Sequence, residues 1–313
     1  MERSAMRIAM MGSGGLGGFF GGRLAHAGSE VSFIARGEHL RAMREHGLRI
    51  ESAVHGDIVV KQARFTDDPA AIGVVDLVIV AVKLLDTESA AKSMRPMVGP
   101  DTAVLSLQNG VTKDEVLVRE FGEAAVMGGV CYVGTRIARP GVIEQTGPLQ
   151  RLVFGEYDGS RSERAEMLLK AALPTGIDTD LSSDIRRSLW EKFVFLVGLS
   201  ATTTSMRTTI GPIRSHPRTR AFLHDIMKEV VAVGRAHGVN LPADYAAERL
   251  AFADSVAPGM TSSMHHDLER GSRLELPWLS GAVVELGARA GVPTPLNRAV
   301  CDILALHADG RTA

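Results

Sequence analysis

The run MRIAMMGSGGLG, residues 6–17, decides the architecture. Met6 to Met11 is a short apolar run that ends at glycines, and Leu16 to Ala27 continues in small and apolar residues compatible with a helix. The order is strand, tight turn, helix. Gly12, Gly14 and Gly17 occupy the defining positions of a GxGxxG, Gly12-Ser13-Gly14-Gly15-Leu16-Gly17. That spacing lets backbone approach a pyrophosphate at the positive end of a helix. A glycine-rich turn serving only close helix packing would not require it.

Working outward, Val31–Ala35 is a second strand, a polar helical stretch runs from Arg36 to His46, and Val74–Val82 (VVDLVIVAV) is almost continuously apolar. Strands buried on both faces have this composition. Leu85–Met97 predicts a helix, Ala103–Leu107 a strand, Thr112–Glu120 a helix and Ala125–Val133 a strand. Such alternation predicts an α/β fold, an amino-terminal Rossmann domain with a doubly wound parallel sheet. Past Gly141 come strand-like pieces at Val142–Gln145 and Leu152–Phe154, then an amphipathic helix over Glu163–Leu173. From Ser182 onward nearly everything reads as helix: a long one capped by Ser182 or Ser183 and running towards Met206, then 217–237, 242–253, 263–270, 277–290 and 295–307. Two domains are expected, a dinucleotide-binding one over residues 1–180 and an all-helical substrate and catalytic one over 181–313; a length of 313 residues suits two cores.

Arg36 ends the second strand, where NAD-binding domains place an acidic residue that accepts from the ribose 2′-hydroxyl. A guanidinium cannot accept, but charge-assisted bonds to a 2′-phosphate are worth about 1.5–3 kcal/mol. NADP(H) is therefore expected over NAD(H), with an ordinary solvated helix-start arginine as the alternative. Lys83 leaves the apolar strand at the sheet's carboxyl edge, where open α/β folds bind ligands, although a lysine there can equally be the strand's exit into solvent. Asn109, in LQNG, has the same position on the next strand, with a plain Asn-Gly turn as its alternative. Lys192 lies on an otherwise apolar helix, sharing a face with Leu196, Leu199 and Ser200; it is either a proton donor to a carbonyl or part of a solvated first turn. One hydroxyl of Thr261-Ser262-Ser263 caps the next helix, leaving another for a ligand, and for Glu275 a cap or an ion pair with Arg273 is the plain expectation.

The 35 basic residues balance 36 acidic ones, which argues against a nucleic-acid or membrane partner. Neither a membrane-length apolar run nor a secretory signal is visible, so the cytoplasm is the expected address. Cys131 and Cys301, far apart and outside any CxxC, read as buried reduced thiols, and no metal site is expected.

Taken in order, GSGGLG, IARG, AVKLLDT, LQNG, WEK, TSSM and a glutamate twelve residues after Ser263 resemble the ketopantoate reductase (2-dehydropantoate 2-reductase) family over nearly the whole chain. The resemblance implies NADPH-dependent reduction of a 2-oxo acid, 2-dehydropantoate to pantoate in pantothenate biosynthesis being the first expectation. By the same resemblance Lys83, Asn109 and Gly134 lie beside the cofactor, with Asn109 also near substrate, and Lys192 is the general acid. Ser263 holds the substrate carboxylate, and Glu275 bonds the nicotinamide ribose or orients the lysine. The pattern departs at Leu196, Ser200, Ile210 and Met260, where the family commonly has asparagines. Ser200, or Thr202 and Thr204 nearby, can supply a substrate hydrogen bond instead. A paralogous reductase of a less hydroxylated 2-oxo acid and a non-enzymatic NADP(H) sensor are the competing readings. The amphipathic carboxyl-terminal helices could form a homodimer face.

Overall fold

The computed structural model describes residues 5–311, so the outermost ends of the two expected domains, 1–4 and 312–313, lie outside it. It divides into two compact units: residues through Gln108 together with Lys113–Ile185, and Asn109–Thr112 together with the chain from Arg186 onward.

The first unit contains β1 (Arg7–Met11), α1 (Gly15–His26), β2 (Glu30–Ile34), α2 (Gly37–His46), β3 (Leu48–Glu51), β4 (Ile58–Val60) and β5 (Arg64–Thr66). There follow β6 (Leu77–Val80), α3 (Thr87–Met94), β7 (Ala103–Ser106), α4 (Glu115–Phe121), β8 (Val126–Arg139), β9 (Val142–Gly155), α5 (Glu163–Ala172) and β10 (Asp178–Leu181). Strands β5-β2-β1-β6-β7-β8 run parallel in that spatial order, so the direction of winding reverses between β1 and β6. Alternate residues of β1 serve the two faces: Ile8 and Met10 pack with Phe19, Phe20 and Leu24 of α1, while Ala9 and Met11 pack with Ala90, Ala91 and Met94 of α3. This period of two, with helices on both sides, is what makes the strands read as unbroken apolar runs.

The expected doubly wound parallel sheet is present in these six strands, and a flank the sequence did not reveal adds antiparallel pairs to it. β8 and β9 form a long antiparallel hairpin, β9 pairs parallel with β3 and β10, and β3 pairs antiparallel with β4. The sheet is therefore mixed. The two strand-like pieces at 142–145 and 152–154 are one strand, and β8 extends past Val133 to Arg139 with register shifts after Val133 and Ile137. Residues 136–139 of β8 and 146–149 of β9 are exposed, so no apolar alternation marks those stretches, whereas Val142 and Ile143 are buried.

In the second unit α6 (Ile185–Met206) is followed by α7 (Ile210–Ser215), α8 (Pro217–Ala236), α9 (Tyr245–Ser255), α10 (Ser263–Arg270), α11 (Ser280–Ala290) and α12 (Pro295–Leu304). Phe193, Val194, Val197 and Ala201 of α6 enter a core with Leu223, Ile226 and Val230 of α8 and Val283 of α11. Ser182 Oγ accepts from the Asp184 N–H just ahead of α6, and Ser262 caps α10 by accepting from the His265 N–H at 3.1 Å. Arg207, just past α6, has φ of 51°, a left-handed conformation held by no other non-glycine among the described residues. Cys131 is buried and Cys301 half-buried, neither in a disulfide, and burial pushes the Cys301 thiol up to about 11. Among the described residues no helix is long and apolar enough to cross a membrane.

Candidate active site

In the first unit the glycine turn connects β1 to α1 beside the point of winding reversal, where ligands of open α/β sheets bind. Gly12 adopts φ of 95°, and a Cβ there would come within 2.7 Å of Val82, the residue leaving β6. A Cβ on Gly17 would drive into the Gly12 carbonyl oxygen. Both positions demand glycine, one for handedness and one for the closeness of helix to strand. Gly14 is the opposite case: a Cβ there would meet nothing within 4 Å, so the turn presents open backbone at the start of α1. Neither a side-chain cap nor an acidic residue engages the first turn of α1. Its N–H groups and partial positive charge are thus available to an anion, which fits a pyrophosphate.

The other residues of the motif shape this turn. Both donors of Ser13, its N–H and its hydroxyl, go to the Ile34 carbonyl at 3.0 Å, so its side chain fixes the loop to β2 and does not face outward. Gly15 backs onto the Thr135 carbonyl of β8, and Leu16 packs on the sheet's core. Gly134 sits beside Thr135 at the bulge, its missing Cβ leaving room for the Thr146 carbonyl across the hairpin.

Arg36 follows β2 as the residue before α2, exposed, and among the described residues its guanidinium has no carboxylate partner. Lys83 is exposed where the chain leaves β6. That exit is tied to the end of β7 by buried Gln108, whose amide donates to the Val82 carbonyl (3.0 Å) and Thr87 Oγ1 (2.8 Å).

His39 was not expected from the sequence. The Gly141 N–H at the hairpin turn donates to its Nδ1 at 3.0 Å, so the ring proton is on Nε2, which donates to the Ser13 carbonyl at 2.9 Å. A neutral imidazole therefore clamps the glycine loop. Desolvation holds its pKa below the ordinary histidine value, outweighing the opposing pull of the Ser13 bond. With the folded-state pKa depressed, the stabilisation is intact above the unfolded value of about 6.5 and is lost as pH falls below it. His39→Gln keeps a donor and an acceptor without titrating. Chemical denaturation at pH 7.5 and 5.5 is expected to show a larger acid loss of stability for the wild type than for His39→Gln.

In the second unit, Lys192 lies half-buried on α6, two turns before Ser200, and its ammonium donates to Asn109 Oδ1 at 2.9 Å. Asn109 is part of the short segment 109–112 that clusters with the helices. Next to it, Gly110 lies so close to the Trp278 carbonyl that a Cβ would be 3.1 Å from it, and the Trp278 N–H bonds the Glu275 carbonyl at 3.0 Å. The lysine, the asparagine and the turn carrying Glu275 are thereby neighbours. Glu275 is 6% exposed, at the start of the turn that carries Trp278. Arg273 turns instead to Asp309, at 3.7 Å, which corrects the expected Arg273–Glu275 pair.

Ser263 is the first residue of α10 and is exposed; with Ser262 acting as the cap, the Ser263 hydroxyl faces out at the helix's positive end. The start of α10 is fixed to α6 through Thr203, whose hydroxyl meets Ser262 Oγ at 3.2 Å and whose carbonyl meets His265 Nδ1 at 2.8 Å. Ile210 is fully buried with its N–H bonded to the Met260 carbonyl, and Leu196 and Met260 are half-buried. Thr202 is satisfied by the Gly198 carbonyl, whereas among the described residues the buried hydroxyls of Ser200 and Thr204 have no hydrogen-bond partner.

Comparison with known proteins covers both units. The family model for ketopantoate reductase PanE/ApbA matches residues 8–159, and its carboxyl-terminal counterpart matches 184–308. A 2-dehydropantoate 2-reductase from Halobacterium salinarum is 31% identical over 303 residues, covering 96% of this chain and 98% of the relative. The crystal structure of a PanE/ApbA family ketopantoate reductase from Ralstonia eutropha superposes with a TM-score of 0.88 at 34% identity, covering 97% of this chain and 98% of that one. A ternary structure of D-mandelate dehydrogenase with NADH and anilino(oxo)acetate shares the fold, with a TM-score of 0.87 at 20% identity over 97% of this chain and 98% of that one. With its two units matched in order and relatives aligned along almost its entire length, the chain belongs to the ketopantoate reductase family of pyridine-nucleotide-dependent oxidoreductases.

Proposed function

We propose that this protein reduces a 2-oxo acid to the 2-hydroxy acid with NADPH, 2-dehydropantoate being the first substrate to test. The observation that carries the reading is the 2.9 Å bond from Lys192 to Asn109, which anchors an ammonium on a mostly apolar helix. Gly12–Gly17 would hold the pyrophosphate, Arg36 the 2′-phosphate, and Lys83 and Gly134 the nicotinamide half. Bound there, the reduced nicotinamide supplies a hydride to C2 of the oxo acid. As C2 gains the electron pair, negative charge grows on its oxygen. Lys192 stabilises that charge and donates a proton, leaving a neutral amine that solvent reprotonates. Asn109, accepting from Lys192, keeps the ammonium from swinging into solvent, and Glu275 supports the positive charge. Ser263, with the N-terminus of α10, binds the carboxylate. The cytoplasm is the compartment proposed for this reaction, with a homodimer through the carboxyl-terminal helices as the proposed assembly.

A second reading of the substrate is favoured by Leu196, half-buried one turn from Lys192. An apolar surface there suits a 2-oxo acid without the 4-hydroxyl of 2-dehydropantoate, while the partnerless hydroxyl of Ser200 could serve one that has it. Steady-state kcat/KM with NADPH for 2-dehydropantoate, 3,3-dimethyl-2-oxobutanoate and pyruvate separates the two. If 2-dehydropantoate is turned over no better than pyruvate, it is not the substrate; if none of a panel of 2-oxo acids is turned over, the reductase reading fails and a dinucleotide sensor remains. On the apolar reading, Leu196→Asn is expected to shift the kcat/KM ratio about tenfold towards the hydroxylated acid, the worth of roughly one hydrogen bond.

A further inference from the structure

A cavity of about 660 Å³ opens in the helical unit between the end of α6, α10 and the chain after α12, and Lys192, Ser263 and Glu275 do not line it. Two guanidinium groups do, those of Arg207 and Arg311. Among the described residues neither has a carboxylate within ion-pair distance. Arg207 donates to His307 Nε2 at 3.1 Å, and an imidazole nitrogen that accepts is unprotonated, so this contact orients the guanidinium without neutralising it. The acidic side chain at the rim, Glu269, is already shared between His265 (3.3 Å) and His266 (3.2 Å). The wall is firmly built: the Leu274 N–H donates to the Ala308 carbonyl and the Arg311 N–H to the Gly271 carbonyl, both at 2.9 Å. Arg207 faces this space from the sole left-handed non-glycine backbone among the described residues, a conformation that glycine or asparagine would adopt with less strain. The lining also contains apolar surface, Leu268 and Leu306, and Leu306 is 94% exposed.

We propose that this cavity binds a small organic anion, its phosphate or carboxylate head on Arg207 and Arg311 and its apolar body on Leu306 and Leu268. The volume is that of a small-molecule site and exceeds the needs of a bare ion. Two guanidinium groups lining one cavity suit a flat or tetrahedral oxyanion, and an unshielded leucine at the lip has a role once a ligand covers it.

The test is thermal unfolding of the full chain with millimolar phenyl phosphate, benzoate or inorganic phosphate, comparing the parent with Arg207→Gly/Arg311→Ala. Anion binding elsewhere on the protein is common to both and cancels in the comparison. At least one organic probe is expected to raise the parent's midpoint by about 2 °C or more, with most of that rise absent from the double variant. Phenyl phosphate acting alone would assign the head group as phosphate, and benzoate acting alone as carboxylate. Leu306→Glu, a change at an exposed position, should also abolish the rise, which keeps the test intact if the double variant folds poorly. Equal rises in parent and variants, or none with any probe, would overturn the site.

Discussion

Replacing Lys192 by alanine is expected to lower kcat by about 10²–10⁴ while the Kd for NADPH, read by fluorescence titration, changes little. The ammonium lies in the helical unit, bonded to Asn109 at 2.9 Å, and the residues proposed to hold the nucleotide's phosphates lie in the sheet unit. Affinity and turnover should therefore separate. Lys192→Arg is a sharper control: it keeps the charge but is a far poorer proton donor, so a proton-transfer role predicts a loss nearly as deep as with alanine. A lysine that merely braced the helix would be rescued by arginine and would show its effect in unfolding, not in kcat. Unchanged turnover in Lys192→Ala would end the assignment.

Arg36→Ala is expected to raise the Kd for NADPH about ten- to a hundredfold and to leave that for NADH almost unchanged. The guanidinium is exposed at the end of β2 and has no carboxylate partner among the described residues, so its removal disturbs no ion pair that both nucleotides would feel. The effect should weaken with added salt, because an exposed charge is screened over about 10 Å at 0.1 M ionic strength. Equal losses for both nucleotides would mean that Arg36 shapes the start of α2 and does not read the 2′-phosphate.

Legibility in the sequence followed the range of the interactions. The turn at Gly12–Gly17 was plain because its demands are local: handedness at one glycine and closeness at another five residues on. β6 and β7 were plain because burial on both faces leaves them almost wholly apolar, Ser106 at the end of β7 being the exception. β5 (RFT) and β10 (DTDL) were not seen, since strands this short and polar exist through the pairing of their neighbours and have no pattern of their own. His39 escaped because its partners, Ser13 and Gly141, lie 26 and 102 residues away. Lys192 and Asn109 were each marked as candidates, yet nothing within either helix or strand announced a bond across 83 residues. The Ser262 cap was left open among three hydroxyls, a choice that only the backbone turn ahead of α10 could make.

The assignment of Asn109–Thr112 to the helical unit means that the polypeptide crosses from one unit to the other three times. A gene cut after codon 185 would therefore not yield two self-sufficient fragments. The amino-terminal piece would carry off Asn109, and the carboxyl-terminal piece would keep Lys192 without that bond. Complementation by the two fragments would have to rebuild that bond before it could rebuild turnover.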